Sequence, residues 1–225
     1  MKLQTPKFFD FKFKLMNKNL LLLLLCVTVL VQCARSSEES TQDVYNPQLP
    51  AITTTGANTF GCKINGVVMV PRNSIGYIPP GSNHYPCHYA NENNNYPFEI
   101  LSAYDLRESK RGGAYIYLQG VPNYNTPIPI GDYPIFNGII PQNPDFNDNY
   151  KTYILFVFYD AQGIGHNYVS IENTGYINVI KSDAQILSAT FSCKAKNVSN
   201  ANEIITITDG RFDINKNTIG ITNFN

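Results

Sequence analysis

An all-β domain, built as an antiparallel β-sandwich or a flattened barrel of about eight to ten strands, is what this 225-residue sequence predicts. Three observations carry that expectation. Tyr, Phe, Gly and Pro are plentiful, at 15, 13, 15 and 14 residues, while charged side chains are only 15% of the chain and Trp is absent. Beyond residue 56, short apolar runs recur with turn residues between them, and none shows convincing helical spacing. Asn65-Gly66 lies between two β-prone runs, a strong hairpin signal. The aromatic content is too high for disorder, and the length suits one domain with a substantial core.

Taken in order, residues 1–32 read as a signal peptide. Residues 20–31 are apolar and uncharged. They are too few for a bilayer span, which needs about 20. Met16 opens a compact basic lead directly before the leucine run and is a better start than Met1. Leu30-Val31-Gln32-Cys33 resembles the lipobox of bacterial lipoproteins, although Gln32 stands where a small residue is usual. That resemblance implies diacylation of Cys33, and hence the membrane as a partner through that lipid; two acyl chains suffice for stable anchoring where one does not. Ordinary secretory cleavage near Ala34 is the alternative. The acidic stretch 34–40 resembles the surface-export signals of some Bacteroidota lipoproteins, which implies an outer-membrane protein, periplasmic or surface-exposed. Residues 33–55 are polar and aperiodic and read as the lipidated N-terminus with a flexible tether. The single domain is then 56–225.

Within it, residues 58–64 alternate Phe60, Cys62 and Ile64 against polar neighbours, and 67–70 complete the hairpin. Strands are expected at 96–104 and 114–121. Residues 150–159 are apolar on both faces, as in a strand covered on both sides. The turn at 160–165 leads into 167–171, and 175–181, 186–195 and 204–208 complete the set. Residues 121–147 hold six prolines, which cannot donate to a central ladder, so this stretch is loop or edge. Such a loop can carry a binding site or cover a sheet edge.

Two ends of the domain resemble a family of uncharacterised Bacteroidota lipoproteins. The residues that carry this are Gly56-Ala-Asn-Thr-Phe-Gly-Cys62-Lys-Ile-Asn-Gly66-Val-Val-Met-Val-Pro71, Gly175-Tyr-Ile-Asn-Val-Ile-Lys-Ser-Asp183, Leu187-Ser-Ala-Thr-Phe191 and Ile205-Thr-Ile-Thr-Asp-Gly210-Arg-Phe-Asp213. They are turns and strand starts, so the resemblance implies fold, anchor and compartment but no activity.

Residues 1–32 hold five lysines and one aspartate, which leaves 12 basic and 16 acidic groups beyond them. A net negative domain excludes a general nucleic-acid binder. Without Cys26 and Cys33 three cysteines remain, in an oxidising compartment. A Cys62–Cys87 disulfide is expected, worth about 3 kcal/mol through loop entropy, with Cys193 a buried free thiol. Cys62 and Cys193 both fall on apolar faces by alternation.

His84-Tyr-Pro-Cys87-His88 could supply zinc ligands only in a tight turn; turn histidines are the expectation, and no metal. Asp145, Asn147 and Asn149 alternate like a calcium loop but lack its glycine and its bidentate glutamate. His166 follows a turn and serves that hairpin. There is no nucleophile elbow, phosphate-cradling loop, His-Glu-x-x-His or Cys-x-x-Cys, and no cofactor is expected.

The leading reading is a lipid-anchored cell-envelope protein, non-enzymatic, that binds an envelope protein or glycan or serves in an assembly. Tyr96, Tyr115 and Tyr117 are the candidate platform, with core or sheet-face packing as their other role. A lipocalin-like carrier of small apolar ligands and a secreted hydrolase are the alternatives.

Overall fold

The computed structural model describes residues 46–75, 85–92, 98–107, 112–119, 126–139, 151–160 and 162–224. Eleven strands are described: β1 Thr59–Ile64, β2 Val67–Met69, β3 Cys87–Glu92, β4 Phe98–Asp105, β5 Gly112–Gln119, β6 Gly131–Pro134, β7 Tyr153–Tyr159, β8 Gly165–Ser170, β9 Tyr176–Ser182, β10 Ile186–Asn197 and β11 Ile204–Asn215. A 3-10 turn, Ile219–Ile221, follows. The strands join in the order β2-β1-β11-β10-β8-β7-β5-β4-β3, with β9 on β10 and β6 on β9. This antiparallel sheet curls into a half-barrel, as the all-β expectation requires.

The local chemistry of the β1–β2 hairpin is direct. Asn65 and Gly66 both have positive φ, 49° and 85°, as a type I′ turn demands. Strand β11 runs further than expected. Asp209-Gly210 is not a turn but a bulge inside it: Asp209 has φ 52°, and the register slips opposite it on both β1 and β10. A bulge bends a strand and adds twist, which helps this sheet curl. Gly210 leaves room for Phe191, whose ring would stand 2.5 Å from an added Cβ. The long β10 pairs β9 along its first half and β8 at its end, so the sheet forks at residues 171–175.

Alternation then divides the two faces. Phe60, Cys62, Leu101, Ile116, Ile154, Phe156, Phe191 and Ile207 fill the inner side. The first residues of β7, Tyr153 to Phe156, are buried whichever way they point, as expected of a strand covered on both faces.

At one end the curled sheet closes on itself. Arg72, beyond β2, forms a parallel bridge with Asp105 at the end of β4. Arg72 N–H donates to the Tyr104 carbonyl at 3.2 Å and Leu106 N–H to the Arg72 carbonyl at 3.0 Å. The Arg72 guanidinium also donates to both oxygens of the Asp105 carboxylate, at 2.7 to 3.1 Å, with both residues buried.

Two expectations change in detail. The compact unit begins at Pro47 rather than at residue 56. Residues 53–57 are held by the buried Asp213 carboxylate of β11, which accepts from Thr53 Oγ1 at 2.6 Å, Thr55 N–H at 2.9 Å, Gly56 N–H at 2.9 Å and Ala57 N–H at 3.1 Å. Composition alone reads that segment as tether because its anchor lies at the far end of the chain. His88, expected as a turn histidine, lies with Cys87 at the start of β3. Within the Pro-rich stretch, expected as loop or edge, 131–134 is an edge strand on β9, whereas 121–125 and 140–147 lie outside the described residues.

Candidate functional site

The cysteines do not make a site. Cys62, Cys87 and Cys193 are all free and buried, so the expected Cys62–Cys87 disulfide is not formed in this structure. In the register Cys62 faces Met69 of β2 and Cys87 faces Ala103 of β4, so neither strand pairing sets the two thiols side by side. The thiol near Cys62 is Cys193; burial, then that neighbour, pushes the Cys62 thiol up. Burial likewise raises Cys87, and lifts Cys193 to about 12. All three are held as inert thiols. Cys33, His84, Tyr96 and the Asp145, Asn147 and Asn149 run lie outside the described residues.

His166 serves the β7–β8 hairpin. Its Nε2 lies 3.1 Å from Asp160 Oδ2, while Asp160 Oδ1 accepts the Gln162 and Ile164 N–H groups at 2.9 and 2.8 Å. The His166 contact, with the Ile164 N–H, holds the Asp160 carboxyl below its ordinary range. His88 is exposed on β3. Among the described residues no three His, Cys, Asp or Glu side chains converge as metal ligands.

The aromatic residues, by contrast, do come together. On β4, β5 and β7 the register sets Ile100 beside Tyr117, Tyr117 beside Tyr153 and Ser102 beside Tyr115, all on the outer face. Tyr117 and Tyr153 stack at 4.4 Å with 12° between their rings, and Phe98 meets both edge-on at 6.1 and 6.3 Å. Tyr104 meets Tyr115 edge-on at 5.3 Å. The Tyr104 ring covers Gly113, where a Cβ would stand 2.1 Å from it, so the glycine is what lets the ring lie flat on the sheet. Phe98, Tyr117 and Tyr153 are buried, Tyr104 and Tyr115 half-buried, and Tyr159 is exposed.

Tyr153 also lines a cleft of about 120 Å³, with Phe136, Asn137, Ile139, Lys151 and Glu172. The segment after β6 builds it. Phe136 N–H donates to the Thr152 carbonyl at 2.9 Å and Gly138 N–H to the Ser170 carbonyl at 2.9 Å. The buried Ser170 hydroxyl donates to the Phe136 carbonyl at 2.8 Å and accepts the Ile154 N–H at 3.1 Å. Gly138 permits this approach, since a Cβ there would meet β7 and β8 backbone at 3.0 to 3.1 Å.

Within the cleft the Lys151 ammonium lies 4.3 Å from the Phe136 ring centroid. Asn137 fixes Glu172 twice, donating to its carboxylate at 3.1 Å and accepting its N–H at 3.1 Å. The Tyr153 hydroxyl is buried with no hydrogen-bond partner among the described residues. One cation, one carboxylate, one amide and two rings therefore converge.

A second polar group sits on the inner face, where Glu99 alternates with Leu101 and Ala103. Its carboxylate meets the Tyr89 hydroxyl, Asn91 and Lys216. Neither cluster was anticipated. Asn137, Lys151 and Glu172 carry no local motif, and Glu99 reads as one charge in an apolar strand. That one charge was the signal available, because a carboxylate on the apolar face of a strand must find partners. No protein family, curated protein or solved structure matches this chain.

Proposed function

We propose that this protein is a lipid-anchored component of the cell envelope that binds a partner rather than catalysing a reaction. In this reading it binds with the outer face of β4, β5 and β7 and the cleft at its end. The observation that carries the reading is the cleft that gathers Lys151, Glu172 and Asn137 against the Phe136 ring. An apolar ring beside a few convergent polar groups is the usual make-up of a ligand site. The mixed charge suits a ligand that both donates and accepts, such as an envelope glycan or an extended peptide. A carrier would need interior space, whereas the inner side here is filled by Phe60, Leu101, Ile116, Phe156 and Ile207.

Cosedimentation with envelope polysaccharide purified from the host tests the glycan form. Wild type should pellet with the polysaccharide. Tyr115→Ala should weaken binding roughly 3- to 10-fold, the worth of one aromatic contact, and Lys151→Ala should weaken it too. Equal binding by wild type and both variants would remove this face from consideration.

A further inference from the structure

We infer that Lys216 and Asn91 are the two halves of an intramolecular isopeptide bond, with Glu99 carrying the protons between them. Asn91 and Glu99 stand 8 residues apart on neighbouring strands, whereas Lys216 is 117 residues from Glu99. Asn91 and Glu99 face each other in the β3–β4 register. Lys216 directly follows β11, its backbone fixed by a 2.7 Å N–H bond to the Gln185 carbonyl. One carboxylate oxygen, Glu99 Oε1, lies 3.4 Å from Lys216 Nζ and accepts from Asn91 Nδ2 at 3.4 Å. The other oxygen meets the Tyr89 hydroxyl, which holds the carboxylate in place. The Tyr89 ring flanks the lysine, its centroid 5.4 Å from Nζ. The Glu99 and Lys216 side chains are only 3% and 10% exposed.

This arrangement sets a nucleophile, a proton carrier and a leaving group around one oxygen. Lys216 passes one ammonium proton to Glu99, whose Oε1 lies 3.4 Å from Nζ. The freed amine attacks Cγ of Asn91, and a new C–N bond forms as the carbonyl π electrons move to oxygen. The protonated Glu99 then donates to Nδ2, already its hydrogen-bond neighbour. The carbonyl re-forms, the Cγ–Nδ2 bond breaks, and ammonia leaves with that electron pair. Nζ sheds its surplus proton through Glu99 to the departing ammonia. The balance is one lysine ammonium and one carboxamide giving one secondary amide and one ammonium ion, with no oxidant and no co-reactant. Fixed proximity replaces the encounter that makes this reaction slow between free side chains.

The bond ties β3, the strand at the end of the sheet path, to the chain leaving β11. The same strand carries Cys87, which has no disulfide partner.

Peptide mapping of the full chain by mass spectrometry, under denaturing and reducing conditions, decides the matter. The expected result is a branched peptide joining residues 91 and 216, lighter than its two linear parts by one ammonia. Recovery of both linear peptides at full mass, with no branched species, would overturn the inference and leave an ordinary buried ion pair. Lys216→Arg and Glu99→Gln should each abolish the branched peptide. Wild-type levels of cross-link in Glu99→Gln would overturn the role given to Glu99.

Discussion

Asp213 shows how much one side chain can organise here. It is buried on β11, accepts the Ser188 hydroxyl at 2.5 Å, and takes the donors of Thr53, Thr55, Gly56 and Ala57 as well. Burial opposes its charge, yet the bonds from Ser188, Thr53, Ala57 and Gly56 outweigh it and hold the carboxyl below its ordinary range. A carboxylate whose folded pKa is depressed adds stability above its unfolded value, about 3.9. That contribution is lost as pH falls through the folded value. Urea midpoints should therefore drop in acid for wild type, and the drop should be smaller in Asp213→Asn, which has no charge to lose. At neutral pH Asp213→Ala should cost about 3 kcal/mol, because it strands several donors in a buried place. A midpoint unchanged from wild type would mean that residues 53–57 are not held through this group.

Between elements, the two kinds of ion pair differ sharply in worth. Lys63–Asp209 spans the β1–β11 bulge at 3.0 Å with side chains 39% and 46% exposed. In a pair so open to water, solvent and salt screen the attraction and little of it reaches stability. Arg72–Asp105 joins the segment beyond β2 to the end of β4 with side chains 6% and 10% exposed. Its carboxylate also accepts the Arg107 N–H at 3.0 Å, so the acid is fully engaged. Arg72→Ala would leave Asp105 charged, buried and without its guanidinium. The expected loss is about 3–5 kcal/mol, against a far smaller one for Lys63→Ala. Chemical denaturation of both variants checks the contrast; equal losses would mean the Arg72 junction is no clasp.

For the whole molecule, the proposed anchor predicts that chain isolated from the host's own membranes begins at Cys33 and carries acyl groups. Intact mass would read this directly, and an unmodified chain starting beyond Cys33 would remove the anchor. The strands were largely legible beforehand. Phe60, Cys62, Phe191 and Cys193 lie on the buried sides that alternation assigned to them. Asn65-Gly66 makes the turn its chemistry requires, and His166 bonds within its own hairpin. These are local matters, settled by period-two alternation and by which residues tolerate positive φ. What escaped was non-local. No local pattern could tell that residue 213 holds residues 53–57, that Arg72 closes on Asp105, or that Cys62 has Cys193 rather than Cys87 beside it. Nor could it assemble Asn137, Lys151 and Glu172, or bring Lys216 to Glu99 and Asn91. The sequence by itself determined the all-β class, most strand positions and the buried faces of β1 and β10, because backbone sterics and burial act residue by residue. Tertiary structure alone decided which strands are neighbours and which polar groups meet, because those pairings arise only when the sheet forks at β10 and curls.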